Sequence, residues 1–137
     1  MLNALLTTKA RASDTDGAFA LFEFYADRNG EPPPHIHHNE DEAWYVLDGQ
    51  ITFRVGEDTF PARPGSFVFA PRNIVHGLEI ASTTARLLTI MAPAGCEGFF
   101  DGLSVPAADD RLPDPRPPDV ELLMRLARAH GLEFPPP

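Results

Sequence analysis

The chain is short of several things, and each shortage excludes something. Its single cysteine, Cys96, permits no internal disulfide, so nothing in it demands an oxidising compartment. No apolar run in the sequence reaches the roughly 18 residues needed to cross a bilayer. The opening stretch MLNALLTTKARAS puts its apolar residues ahead of its charges, the reverse of a secretory leader. Basic residues are outnumbered, 11 against 20 acidic ones, and the net charge of -9 argues against nucleic acid or an anionic membrane surface as partner. No internal repeat is present, and 137 residues suffice for a single core. These absences lead us to expect one soluble, cytoplasmic domain.

What is present is alternation. Phe19–Tyr25, Glu42–Leu47, Ile51–Val55, Ser66–Ala70, His76–Ile80 and Arg86–Met91 are short runs rich in β-branched or aromatic residues, each bounded by Gly, Pro, Asn or Asp. Asp48-Gly49 is the strongest hairpin signal, predicted to join the Trp44 strand to the Ile51 strand. Short strands at regular spacing imply an all-β sandwich or barrel, here a small antiparallel one. We assign residues 1–105 to this barrel. Residues 106–118, with five prolines, read as an extended linker. Residues 119–137 hold a helix, Asp119–His130, and a tail; Asp119 caps it, and Leu122, Leu123 and Leu126 form a stripe that should pack on the barrel and shield one opening.

Four residues have metal-ligand character and suggestive spacing. His35 and His37 are two apart, so on an extended strand both rings leave one face. Glu42 follows after a short bend, and His76 follows a turn built from Gly65 and Pro71. Imidazoles and one carboxylate suit a divalent first-row metal. Nearby rivals fit less well. His38 should face away from His37; Glu40 shares the parity of Glu42 but not its offset to Gly49; Asp41 has the opposite parity. His130 reads as a contact with the helix dipole, and Cys96 as an inert small residue with no base beside it.

With these residues the chain resembles the cupins. The first cupin motif is matched by His35-Ile36-His37, Glu42 and Gly49, with Gly30 one residue closer to His35 than usual. The second is matched by Gly65, Pro71, Asn73 and His76, Asn73 standing where glycine is usual; asparagine tolerates positive φ better than other non-glycine residues. The resemblance implies a cupin jelly roll with a C-terminal helix. It also implies one divalent metal per subunit on His35, His37, Glu42 and His76: iron, manganese, nickel or cobalt, with zinc also able to fit. Cupins commonly pair, which implies a homodimer, and Phe19–Tyr25 is the expected contributor.

Strand parity furnishes the site. If Glu42 and His76 point inward, so do Trp44, Val46, Leu78 and Ile80; on the first strand either Phe22 and Phe24 or Leu21 and Glu23 do, the apolar pair being the better fit, and Trp44 reads more as plain core than as substrate platform. Such a pocket suits a flat, largely apolar molecule reaching the metal with one or two oxygens, and no basic cluster is there to take a phosphorylated sugar. Within the cupins the chain looks similar to the quercetin-dioxygenase-like group, in which the glutamate ligand is also the base that ionises the substrate hydroxyl. The resemblance thus implies a metal-dependent dioxygenase of a phenolic or enol-bearing compound, flavonol or polyketide-like, with Glu42 catalytic. Two alternatives stay open: a non-oxidative cyclase or isomerase using the metal as Lewis acid, as in the similar tetracenomycin-type cyclases, and a ligand-binding cupin without catalysis.

Overall fold

The alternating segments do become strands. The computed structural model describes residues 3–137. In chain order the elements are β1 (Ala4–Ala10), α1 (Ala12–Thr15), β2 (Ala20–Ala26), β3 (Ile36–His37), β4 (Asp41–Asp48), β5 (Ile51–Val55), β6 (Asp58–Ala62) and β7 (Phe67–Ala70). Then come β8 (His76–Ile80), β9 (Ala85–Ala92), α2 (Glu97–Leu103), α3 (Val120–Ala129) and β10 (Leu132–Glu133). All six expected strands are found to within one residue at either end.

They form two facing sheets. One has the order β1-β2-β9-β4-β7; the other has the order β6-β5-β8. The second sheet is extended by a backbone bridge between His35 and His76 to the short pair β3–β10. Inward residues of both sheets, Phe24, Trp44, Val46 and Leu87 from one and Ile51, Phe53, Leu78 and Ile80 from the other, share one apolar core. Parity is as expected on β2, where Phe22 and Phe24 are buried while Leu21 and Glu23 are not.

The Asp48-Gly49 hairpin is corrected. Gly49 does turn the chain, at φ +92, but β4 and β5 belong to different sheets and do not pair. The turn carries the chain across the barrel edge and lies hard against the loop before β9: a Cβ on Gly49 would sit 2.6 Å from the Thr84 carbonyl oxygen. The actual hairpin is β5–β6, closed at Gly56-Glu57. β2 lies between β1 and β9, so Phe19–Tyr25 has no free edge to offer a second copy.

Residues 106–118 carry no helix or strand, as expected of a linker. α3 begins where Asp119 accepts a hydrogen bond from Leu122 N at 3.0 Å, and His130 closes it with Nδ1 on the Leu126 carbonyl. Its apolar stripe packs across α2 as well as the barrel. Leu123 and Ala127 join Phe22, Met91, Cys96, Phe99 and Leu132 in a second apolar cluster. α2 lets α3 approach through Gly102, where a Cβ would lie 2.8 Å from Leu126 Cδ1.

Removing residues 113–137 takes away α3 and β10 together. Leu123 and Leu132 each contribute roughly 1.5–3 kcal/mol when buried, so the truncated protein should melt well below the intact one, and its open pocket should bind substrate more weakly. An unchanged melting temperature and unchanged affinity would make the segment a passive tail. Calorimetry and titration read the two effects separately.

Candidate metal centre

The four expected side chains converge. Each offers one donor atom, and these atoms all lie within 4.8 Å of one another. Glu42 Oε2 sits 3.0 Å from His37 Nε2 and 2.9 Å from His76 Nε2. His35 stands edge-on to both other rings, with centroids 4.9 Å from His37 and 4.5 Å from His76. All four residues are buried.

The backbone produces this convergence. His35 and His76 exchange both backbone hydrogen bonds, at 3.0 and 2.9 Å, so two segments 41 residues apart present their rings side by side. Asn73 adopts φ +67, as its place in the turn requires, and its N–H donates to the His37 carbonyl at 2.8 Å. Each ring is then aimed. His35 Nδ1 donates to the Pro33 carbonyl at 2.8 Å and His76 Nδ1 to the Ile74 carbonyl at 3.1 Å. A carbonyl can only accept, so both rings carry a proton on Nδ1, which leaves Nε2 as the nitrogen a metal would take.

Electrostatics agree with a site built for a cation. Burial pulls the His35 pKa down to about 4, which keeps it neutral. Burial works the same way on His37, but its neighbours Cys96, Glu40 and Glu42 outweigh it and push its pKa up to about 12. Burial would raise Glu42; contact with His37 and His76 instead holds it far below the usual carboxylate range. The raised pKa of His37 favours a proton on its ring. A metal taking Nε2 has to displace that proton, so its apparent affinity falls as pH falls.

The rivals separate clearly. Asp41 is tied at the surface to Arg72, 3.2 Å from its Nε. His38 points outward to Glu133 and Asn73, at 2.7 and 2.8 Å. Burial raises the pKa of the Cys96 thiol, which keeps it un-ionised, but Cys96 is not a bystander: its Sγ lies 3.8 Å from His37 Nδ1. Glu40 approaches the same nitrogen, with Oε2 at 3.5 Å.

The donors open onto a narrow cavity. Phe22, Phe24, Trp44 and Leu78 line it as expected, whereas Val46 and Ile80 do not. The inward parity of those two is right but their depth is wrong. Each lies one strand repeat beyond the last lining residue, roughly 6–7 Å further from the histidines, and both are buried in the apolar core. The other walls come from segments for which strand parity predicts no pocket role. Thr89 stands on β9, and Phe99, Phe100, Leu132 and Phe134 descend from the C-terminal third. β10 pairs Leu132 with His37, which places Phe134 5.9 Å from the His35 ring. Two-residue strands carry too little pattern to be read in advance.

A double-sheet barrel holding three histidines and a glutamate at one end defines a class of proteins, and the sequence comparison gives the family. Residues 22–91 match the cupin domain, and the chain belongs to the cupin family. It is 28% identical over 97 residues to quercetin 2,3-dioxygenase of Bacillus subtilis, a match covering 71% of this chain and 29% of that protein. The chain thus corresponds to a minor part of the length of that relative. Among solved structures, TT1209 of Thermus thermophilus superposes with TM-score 0.58 at 25% identity, over 66% of this chain and 83% of that one. KdgF of a Halomonas species superposes with TM-score 0.62 at 18% identity, over 70% and 84%, and shows the same fold. Among the described residues no helix is long and apolar enough to cross a membrane.

Proposed function

We propose that the chain is a metal-dependent dioxygenase acting on a phenolic or enol-bearing small molecule, with His35, His37, Glu42 and His76 holding one divalent ion. The observation that carries this reading is the contrast within one cavity. A compact cluster of three histidines and a glutamate lies at its floor, and nearly everything above it is aromatic or aliphatic. A molecule that fits is flat and apolar, with a hydroxyl or enol oxygen at one end. The similarity to quercetin 2,3-dioxygenase, covering 71% of this chain, supports the same class.

His35, His37, Glu42 and His76 would hold a divalent iron, manganese, nickel or cobalt ion, which would supply the capacity to activate dioxygen beside a chelated substrate. The protein supplies the rest. Glu42 Oε2, which lies against His37 and His76, is the acceptor for the substrate hydroxyl proton. Phe22, Phe99, Phe100 and Phe134 flank the substrate plane and exclude water, which strengthens every charge interaction at the floor.

Elemental analysis of the purified protein, then oxygen uptake with flavonols and polyketide-like phenols, tests the proposal. Uptake matched to substrate loss supports it. Turnover that persists without oxygen would replace it with the Lewis-acid cyclase or isomerase, for which zinc serves equally. Tight binding with no turnover in either atmosphere would leave a ligand-binding cupin.

We further place a homodimer contact on β7 rather than on Phe19–Tyr25. β7 is an edge of the five-stranded sheet, and on its outer face Phe67 and Phe69 are 60% and 51% exposed beside the half-exposed Tyr45. An open strand edge with an uncharged aromatic face pairs with a second copy of itself across a two-fold axis. Light scattering should give a dimeric mass at micromolar concentration, and Phe67→Glu should convert it to monomer. A monomeric mass for the unmodified chain would remove the assignment.

A further inference from the structure

The three histidines are not oriented alike. His35 and His76 each lean on a neutral backbone carbonyl two residues upstream. His37 has no such carbonyl. Its Nδ1 faces the Glu40 carboxylate, with Oε2 at 3.5 Å, and the Cys96 thiol at 3.8 Å. Glu40 is 4% exposed, and its Oε2 is the one buried side-chain oxygen or nitrogen among the described residues without a hydrogen-bond partner. A buried carboxylate oxygen with no partner costs more than most single contacts contribute, so its presence needs a reason.

We infer that Glu40 is a positioning residue for the metal, acting through His37: its carboxylate holds the Nδ1 proton, fixes the ring with Nε2 toward the ion, and increases electron donation to the metal from this one ligand. Spacing explains why Glu40 can do this. Residues 38–40 leave the strand geometry between β3 and β4, so Glu40 is released from the parity it nominally shares with Glu42 and reaches the outer side of the His37 ring. The long, poorly aligned contact fits the same role. Coordination of Nε2 draws electrons from the ring and makes its Nδ1–H a stronger donor, which gives the orphaned oxygen a partner. Cys96 packs beside the pair as a weak, un-ionised neighbour and helps keep water away from it.

This inference rests on the proposed metal site, and the experiment separates the two. Full-length wild type, Glu40→Gln, Glu40→Leu and Cys96→Ala are each titrated with Co(II) in competition with a chromophoric chelator. Each is then loaded with iron for a spectroelectrochemical midpoint potential. The carboxamide of Glu40→Gln keeps the size and one acceptor oxygen but loses the charge. We expect its affinity to fall about 10- to 100-fold, the range for orienting partners of ligating histidines. Its iron potential should rise, because less negative charge supports the oxidised ion. Glu40→Leu should lose more affinity, and Cys96→Ala should change both readings little. A residue that only filled space would leave the potential unmoved in Glu40→Gln. Wild type that binds no cobalt would overturn the metal site and this inference together. Wild type that binds cobalt, with Glu40→Gln unchanged in affinity and potential, would overturn this inference alone. Effects confined to Cys96→Ala would transfer the role to the thiol.

Discussion

Replacing His76 with alanine is expected to abolish bound metal and turnover together while leaving the barrel folded. His76 is the one member of the cluster from the second half of the barrel, and it closes the site over Glu42 at 2.9 Å and beside His35 at a centroid distance of 4.5 Å. Its side chain can be removed without touching the backbone bridge to His35, because that bridge uses only main-chain atoms. Circular dichroism should therefore report an intact sheet, and elemental analysis should report a chain largely stripped of metal. A thermal scan adds an independent reading. Wild type with metal at about 100 times its dissociation constant should gain about 2.7 kcal/mol over the metal-free form, and the variant should gain almost nothing. Full occupancy in His76→Ala would exclude His76 as a ligand.

Glu42→Gln should behave differently. The amide preserves the volume and one donor oxygen but cannot take up a proton. Metal should stay largely bound while turnover falls at least ~100-fold, a typical loss for a missing general base. The ratio of the two effects distinguishes Glu42 from His76, for which both fall in step. Near-normal turnover in Glu42→Gln, measured at saturating metal, would leave Glu42 a ligand and nothing more. Contact with His37 and His76 at once holds Glu42 ionised despite burial and centres it on the site.

The ligands were legible in the sequence because their spacing carries their geometry. Two histidines at strand period, a glutamate after a bend and a histidine after a turn need no long-range information to be recognised as a set. Sheet membership is another matter. Asp48-Gly49 announces a reversal truthfully, yet a local turn does not say which strand the next one pairs with, and here the chain changes sheet. β6 escaped notice because its residues are mostly exposed and it contains Pro61, which suits the edge position it occupies. α2 was hidden by Gly98 and Gly102, poor helix formers that are there for close packing against α3. Glu40 looked like a misplaced ligand because parity was extended through residues that are not strand.

The pairing of β10 with β3 also sets an order of events. During synthesis the ribosome completes His35, His37, Glu42 and His76 well before it reaches Leu132 and Phe134, which cover them. Once the later residues have paired with the His37 strand, entry and exit must pass the aromatic wall they complete. The same pairing that shapes the pocket thus also closes it, because Leu132 cannot pair with His37 without bringing Phe134 over the His35 ring.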